Sequence, residues 1–220
     1  MDLATLRAVS LFAALALVAP FAHARGPQSN AAAGAQSPPR NEALRQELLR
    51  MYEEDQAARL PMTTGKGMNG VNEAEIKKQI EVDATHTKRL GEIFKQYGFP
   101  AVPLVGRDGA QAAFVMVVHS PSLDLKKKAL PYIRKAARRG EVPAEAFATL
   151  TDTILRAEGK PQIYGTKFDL VGGKFVLAPT VDPARLDARR AKLGLPPISE
   201  YAKGLAEMYK MPVDVSGVPR

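Results

Sequence analysis

The hydrophobic positions of this chain recur every three to four residues over most of its length, which predicts a mainly helical fold. The first helix is predicted from Asn41, its cap, to about Arg59. A second helix is predicted from Asn72, which forms a capping-box pattern with Glu75, to Gly98. The apolar faces of these helices are formed by Leu44, Leu48, Met51, Ile76, Ile80, Leu90, Phe94 and Tyr97.

Both helices place a carboxylate where an apolar residue is expected. Asp55 continues the apolar face of the first helix, and Arg59 follows four residues later, so an Asp55–Arg59 pair would offset the cost of burying the charge. Asp83 and Thr87 lie within the apolar stripe of the second helix, and His86 lies at its edge. Polar residues at core-facing positions indicate either a structural network or a functional pocket.

The run Ala112–Val118 is apolar on every side, which predicts a central buried helix. We expect Asp108 to begin this helix and His119 to end it; a buried strand is the alternative for so short a run. Further helices are predicted to start near Pro143, Asp182 and Ser199.

Residues 167–177 alternate around Gly172-Gly173, which predicts a β-hairpin with a two-residue turn that places Leu170 opposite Phe175. The predicted fold class is therefore mainly α: a single-domain helical bundle with one β-hairpin in its C-terminal half. This domain is expected to span residues 41–210, followed by a frayed tail at 211–220.

The N-terminal segment has the composition of a secretory signal. Its apolar run, Leu11–Ala19, is too short to span a bilayer, and Ala22-His23-Ala24 matches an A-x-A cleavage site. We expect cleavage after Ala24, with an uncleaved anchor as the alternative. Residues 25–40 are expected to be a flexible linker, and the protein to be periplasmic or secreted.

The chain of 220 residues carries a net charge of +8 and contains no Cys, which excludes disulfides and thiol nucleophiles. Much of the charge lies within residues 122–139. Only Tyr132 interrupts this segment with an aromatic ring, so we do not expect nucleic acid binding. The segment forms either a solvated face or a contact with an anionic envelope surface through Lys126, Lys127, Lys128, Arg134 and Arg138.

The segment Gly65–Gly70 matches G-x-G-x-x-G, but no predicted strand precedes it. A dinucleotide site needs that strand, so we reject one. The segment is expected to be a plain connector, or alternatively a mobile flap over a neighbouring cleft.

The loop Gly159–Thr166 brings polar side chains together beside Pro and Gly, as functional loops often do. We expect it to meet the two acidic helices at one polar pocket. There His119 would transfer protons, oriented by Asp55 or Asp83. Arg59 would hold an anionic substrate group, and the remaining substrate contacts would come from Gln56, Gln162, Tyr164 and Thr166.

A metal site is an alternative use of the same region. Asp83 and His86 are three residues apart on one helix, and His119, with Asp55 as a further ligand, would complete a two-histidine, carboxylate set. The sequence itself requires no cofactor.

A series of short motifs spans about residues 42–205: Glu47–Met51, Asp55–Arg59, Tyr97–Pro100, Leu104–Gly106, His119, Gln162–Thr166, Asp187–Arg190 and Gly194–Tyr201. In this order they resemble a bacterial family known as domain of unknown function 6624. The resemblance implies a single-domain protein, and it implies no activity.

Three positions depart from the pattern that this resemblance implies. The resemblance implies Gln-His where this chain has Val118-His119, and Asp-Arg where it has Asp152-Thr153. It also implies Tyr-Gly-Thr-Gln where this chain has Tyr164–Lys167. If those family side chains belong to a site, this protein carries a modified version of it.

Three classes of function fit these features. The first is an exported enzyme whose pocket binds a small polar or anionic substrate, with hydrolysis as the candidate reaction. The second is a non-catalytic module that binds a small ligand or an envelope partner. The third is a scaffold, in which the polar residues only attach the hairpin to the helices.

Overall fold

Long helices fill the first part of the domain, and a small sheet and short helices complete it. The computed structural model describes residues 39–63 and 72–218. The described helices are α1 (Glu42–Thr63), α2 (Glu73–Tyr97), α3 (Val102–His119), α4 (Leu123–Arg138), α5 (Ala144–Ala157), α6 (Leu186–Ala191) and α7 (Ile198–Tyr209). The strands are β1 (Phe168–Val171), β2 (Lys174–Leu177) and β3 (Val213–Asp214), and a 3₁₀ helix (Pro183–Arg185) precedes α6. The prediction of a mainly α fold is confirmed.

Helix α3 is the centre of the main core, as its all-round apolar sequence predicted. Every side chain from Ala112 to Val118 is buried, and α1, α2, α4 and α5 pack around it. A kink at Gly106, where φ is 72° and the backbone is not helical, divides α3 into two segments, and the one with the apolar run begins close to the predicted Asp108. The Asp108 carboxylate accepts a hydrogen bond from the Gly109 amide and pairs with Arg45 of α1.

The hairpin has the predicted register, with Leu170 opposite Phe175 across an antiparallel β1–β2 pair. Its apolar face forms a second core with helices α6 and α7. The expectation of a frayed tail from residue 211 is wrong for β3, which runs parallel to β2 and places Val213 beside Phe175. The apolar side chain of Val213 packs against this second core, which holds the tail.

Some expectations concern residues outside those that the structure describes. The predicted signal at 1–24, all but the end of the linker at 25–40, and the Gly65–Gly70 segment are among them. Within the described residues, none of the helices combines the length and the apolar character that crossing a membrane requires.

Candidate functional site

Four buried polar side chains meet where α1, α2 and the C-terminal end of α3 come together. Asp55 and Arg59 come from α1, Asp83 from α2, and His119 is the last residue of α3. Each exposes 7% or less of its surface, although all four are polar or charged. The sequence argument that Asp55 and Asp83 point into the protein is therefore confirmed.

Arg59 joins the two carboxylates. Its Nη1 lies 2.7 Å from Oδ1 of Asp55, and its Nη2 lies 2.5 Å from Oδ1 of Asp83. The predicted Asp55–Arg59 pair is thus present, and a second ion pair extends it to α2. Since both ends of the guanidinium are used in this way, Arg59 positions the two aspartates and is poorly placed to receive an anionic substrate group, the role expected from the sequence.

Asp55 also holds His119. The imidazole Nδ1 lies 2.9 Å from each carboxylate oxygen, and Gln56 Nε2 donates to Oδ2 at 2.8 Å. An ionised carboxylate can only accept, so this contact assigns a proton to Nδ1 and, in the neutral imidazole, leaves Nε2 as the lone-pair nitrogen. No described residue forms a hydrogen bond with Nε2 of His119.

The two aspartates differ in their pKa because they differ in their partners. Burial alone would raise the pKa of Asp55, but its hydrogen bond to His119 and the charges of His119 and Arg59 outweigh this and lower it. Burial raises the pKa of Asp83, and the Arg59 charge offsets only part of the effect. Asp83 has one described hydrogen-bond donor, whereas Asp55 has three.

Two lysines outside this group have pKa values that burial lowers. Lys126 lies at the start of α4, half-buried, where the negative charge of Asp83 acts on it, and burial lowers its pKa to about 8. Lys167 precedes β1 and exposes 7% of its surface. Burial lowers the pKa of Lys167 to about 7, although the charge of Asp152 opposes this.

The loop before the hairpin is organised by Asp152, a fully buried residue of α5. Its carboxylate accepts hydrogen bonds from the backbone amides of Ile163, Tyr164 and Thr166 and from the Thr166 hydroxyl, at 2.8 to 3.2 Å. These donors compensate the buried charge, so Asp152 stabilises the loop.

The opposite side of the loop is bound by arginines. Arg189 Nε donates to the Ile163 carbonyl at 2.9 Å, and Arg190 Nη1 donates to the Tyr164 carbonyl at 2.7 Å. Gly165 follows these two residues and has a φ of 69°, which favours glycine. A Cβ at this position would lie 3.1 Å from the Leu186 side chain. The backbone of the loop is therefore fixed on both sides.

Gln162 and Thr166 are used inside the fold, contrary to the expected substrate contacts. Gln162 Nε2 donates to the carbonyls of Lys167 and Ala178, and its Oε1 accepts from the Lys167 amide at 2.8 Å. The Thr166 hydroxyl donates to Asp152. Both side chains thus hold the hairpin and fix the position of Lys167.

Tyr164 is separate from the His119 group within the described contacts. Its ring packs against Phe147 with the centroids 6.0 Å apart, and burial raises its pKa. The predicted contribution of Tyr164 to a pocket shared with Asp55 and Asp83 is therefore not evident in its contacts.

The alternative metal set is not assembled. Asp83 pairs with Arg59, while Nε2 of His86 lies 3.1 Å from Glu54. Among the residues that the structure describes, no group of three or more His, Cys, Asp or Glu side chains is placed to hold a metal ion.

The basic residues of α4 fall into two sets. Lys127, Lys128, Arg134 and Arg138 form an exposed surface, the basic face. Lys127 pairs there with Glu158 at 2.5 Å and Lys128 pairs with Asp124 at 2.8 Å. Lys126, expected on this surface, is instead half-buried.

Sequence reasoning named Asp152 and Lys167 only where the chain departs from the family pattern, and it assigned neither residue a role. Asp152 carried the signal that identified Asp55 and Asp83, since it lies between the buried residues Leu150 and Ile154 of an apolar helix. Lys167 gave no such signal, because a lysine at the end of a loop is ordinarily exposed.

Comparisons with known proteins identify a family and no close relative. No curated protein and no solved structure matches the chain. The model of a family of unknown function (DUF6624) matches residues 42–214, a range that contains every residue of the site described above. The chain belongs to this family.

Proposed function

We propose that the protein binds a small polar or anionic molecule at the buried Asp55–His119 pair and hydrolyses it with His119 as the proton-transfer group. The observation that carries this proposal is the contact of His119 Nδ1 with both oxygens of Asp55, at 2.9 Å, with Nε2 left without a described partner. A carboxylate-oriented imidazole with an available Nε2 is the usual arrangement of a general base.

The chemistry assigned to this pair is direct attack by water. His119 Nε2 removes a proton from a water molecule as its oxygen attacks the electrophilic carbon or phosphorus of the substrate. The same proton then passes to the leaving group, which returns His119 to its neutral form. Asp55 keeps Nδ1 protonated and stabilises the transient imidazolium, while Arg59 fixes Asp55 and Asp83 in place.

The neighbouring hydroxyls support this route over a covalent intermediate. Ser120 follows His119, but its Oγ accepts hydrogen bonds from the Thr87 hydroxyl at 2.7 Å and from the Ser122 amide at 3.0 Å. An acceptor bound in this way is held for structure. The chain contains no Cys that could take its place.

We propose that this activity lies outside the cytoplasm, because residues 1–24 have the pattern of a secretory signal. The proposed hydrolysis uses only water and the side chains of the site, and this fits a location outside the cytoplasm.

Hydrolysis of chromogenic p-nitrophenyl esters tests the proposal, with one phosphate ester and one ester of a dicarboxylic acid. We expect turnover above the buffer rate that falls about 100-fold in His119→Ala, the size typical of a lost general base. His86→Ala is the matched control, since His86 contacts Glu54 and not Asp55. Equal rates in wild type and His119→Ala would contradict the proposal.

A second candidate, binding to an anionic envelope surface, is supported by the basic face alone. Arg134 and Arg138 are both exposed and lie four residues apart, on one side of α4. Co-sedimentation with vesicles containing anionic phospholipid tests it: binding should weaken with added salt and in the Arg134→Ala/Arg138→Ala variant. Salt-independent binding would contradict it.

A further inference from the structure

Three buried side-chain atoms of the described residues have no hydrogen-bond partner, and all three belong to helices α1 and α2. They are Arg59 Nε, Gln79 Oε1 and His86 Nδ1. Buried polar atoms are usually paired, and each one left unpaired is costly for folding. Three such atoms on two adjacent helices are therefore a feature that the fold alone does not explain.

Gln79 lies on the side of α2 that meets α1. It precedes Asp83 by four residues and His86 by seven, so the three side chains share one side of the helix. Each exposes 7% or less of its surface. Asp83 and His86 contact Arg59 and Glu54 of α1, at 2.5 and 3.1 Å, which identifies this side as the one toward α1.

Arg59 and Gln79 are neighbours of the same carboxylate. Arg59 Nη2 lies 2.5 Å from Asp83 Oδ1, and Gln79 stands one helical turn before Asp83. An unpaired N–H donor and an unpaired oxygen acceptor therefore both lie next to Asp83. His86 lies on the other side of Asp83 along α2 and already contacts Glu54 through Nε2, so it is not included in this pair.

The charge of the surrounding group disfavours a bound anion. Arg59 Nη1 and Nη2 donate to Asp55 and Asp83, so two carboxylates surround one guanidinium. His119, the remaining member of the group, is neutral when its Nε2 serves as a base. The excess carboxylate would repel a ligand that brings a further negative charge, whereas it would not repel an uncharged polar group.

We propose that Arg59 and Gln79 bind an uncharged amide group of the substrate, whose carbonyl accepts from Arg59 Nε–H and whose N–H donates to Gln79 Oε1. The inference rests on the proposed function, because it takes the bound molecule to lie beside the Asp55–His119 pair, and it narrows the ligand to an uncharged class. An amide carries both a donor and an acceptor, whereas a carboxylate carries acceptors only. A bound carboxylate could pair with Arg59 Nε but would leave Gln79 Oε1 facing a second acceptor.

Acetamide and acetate are matched probes, because they have the same shape and differ in charge and in the donor that Gln79 requires. Titration of the ¹⁵N-labelled full chain at pH 7, followed by nuclear magnetic resonance at the Arg59 Nε–H signal, measures both affinities. We expect saturable binding of acetamide that is at least about 10-fold tighter than that of acetate. Gln79→Met keeps the length of the side chain and should weaken acetamide binding at least about 10-fold. Gln96→Met, exposed on the same helix, should leave it unchanged.

The melting temperature of the free protein separates a binding role of Gln79 from a structural one. Gln79→Met removes an unpaired buried acceptor, so it should raise the melting temperature by about 2–4 °C. A glutamine that stabilises the fold would give a lower melting temperature when it is replaced. A fall in the melting temperature would therefore overturn the inference.

The remaining outcomes separate this inference from the proposed function. No saturable binding of acetamide would mean that water alone pairs with these atoms, and it overturns the inference, as does equal binding by wild type and Gln79→Met. Acetate that binds as tightly as acetamide also overturns it. His119→Ala should still bind acetamide, and a wild type that binds acetamide without hydrolysing the esters contradicts only the proposed function.

Discussion

His119 Nδ1 lies 2.9 Å from each carboxylate oxygen of Asp55, and both residues are buried. This contact joins the C-terminal end of the central helix to the middle of α1, positions separated by 64 residues in the sequence. Arg59 extends the same network to Asp83 of α2. The three helices thus share one buried polar centre.

Removing the charge of Asp55 should destabilise the protein more than removing that of Asp83. Asp55→Asn weakens contacts to Arg59, His119 and Gln56, and loss of one member of a buried ion pair costs about 3–5 kcal/mol. Asp83 has a raised pKa, so its ionised form already carries a burial penalty that Asp83→Asn relieves.

Urea unfolding at pH 7 measures both free energies of unfolding, with Glu53→Gln on the exposed side of α1 as the control. Equal losses for the two variants, or a larger loss for Asp83→Asn, would show that the partners of Asp55 do not account for its lowered pKa.

Lys126→Met should stabilise the protein below about pH 8. The folded pKa of about 8 lies below the unfolded value, so the unfolded chain binds more protons between pH 8 and about 10.4. The penalty is complete below pH 8 and disappears as pH rises through this window. Allowing for solvent screening, we expect a gain on the order of 1–2 kcal/mol at pH 7 that vanishes by about pH 10.4.

Thermal or urea unfolding of Lys126→Met and wild type across that pH range checks the sign. A gain that is independent of pH would mean that improved packing, rather than relief of the lysine charge, stabilises the variant.

Asp152 should be the residue on which the loop before the hairpin depends most. Asp152→Ala leaves the backbone amides of Ile163, Tyr164 and Thr166 without their acceptor, at about 1–3 kcal/mol each where water cannot replace it. Thr166→Val removes one hydroxyl donor and should cost about 1 kcal/mol.

Amide hydrogen exchange of residues 163–166 measures this effect locally, with Thr151→Val of the same helix α5 as the control, because the Thr151 hydroxyl bonds only within its own helix. Unchanged protection in Asp152→Ala would contradict this role.

The sequence pattern predicted the helices and the hairpin, whose hydrophobic positions repeat at regular intervals. Asp55 and Asp83 could be assigned to buried faces because a helix repeats every 3.6 residues, and the hairpin register followed from its two-residue turn. The position of Asp152 was available from the same pattern.

What the pattern could not give was the direction of side chains at the edges of elements. Lys126 lies at the boundary of the buried face of α4, where it is half-buried although the next residue, Lys127, is exposed. Gln162 and Thr166 stand in an irregular loop, and only three-dimensional contacts with Asp152 and the hairpin show that their polar groups are used within the fold.

The central claim, that Asp55 holds His119 with Nε2 available as a base, is tested most directly by nuclear magnetic resonance of protein labelled with ¹⁵N-histidine. At pH 8.5 we predict that Nδ1 of His119 carries the proton and Nε2 does not, and that Asp55→Asn removes this preference. A protonated Nε2 with an unprotonated Nδ1 in the wild type would contradict the account.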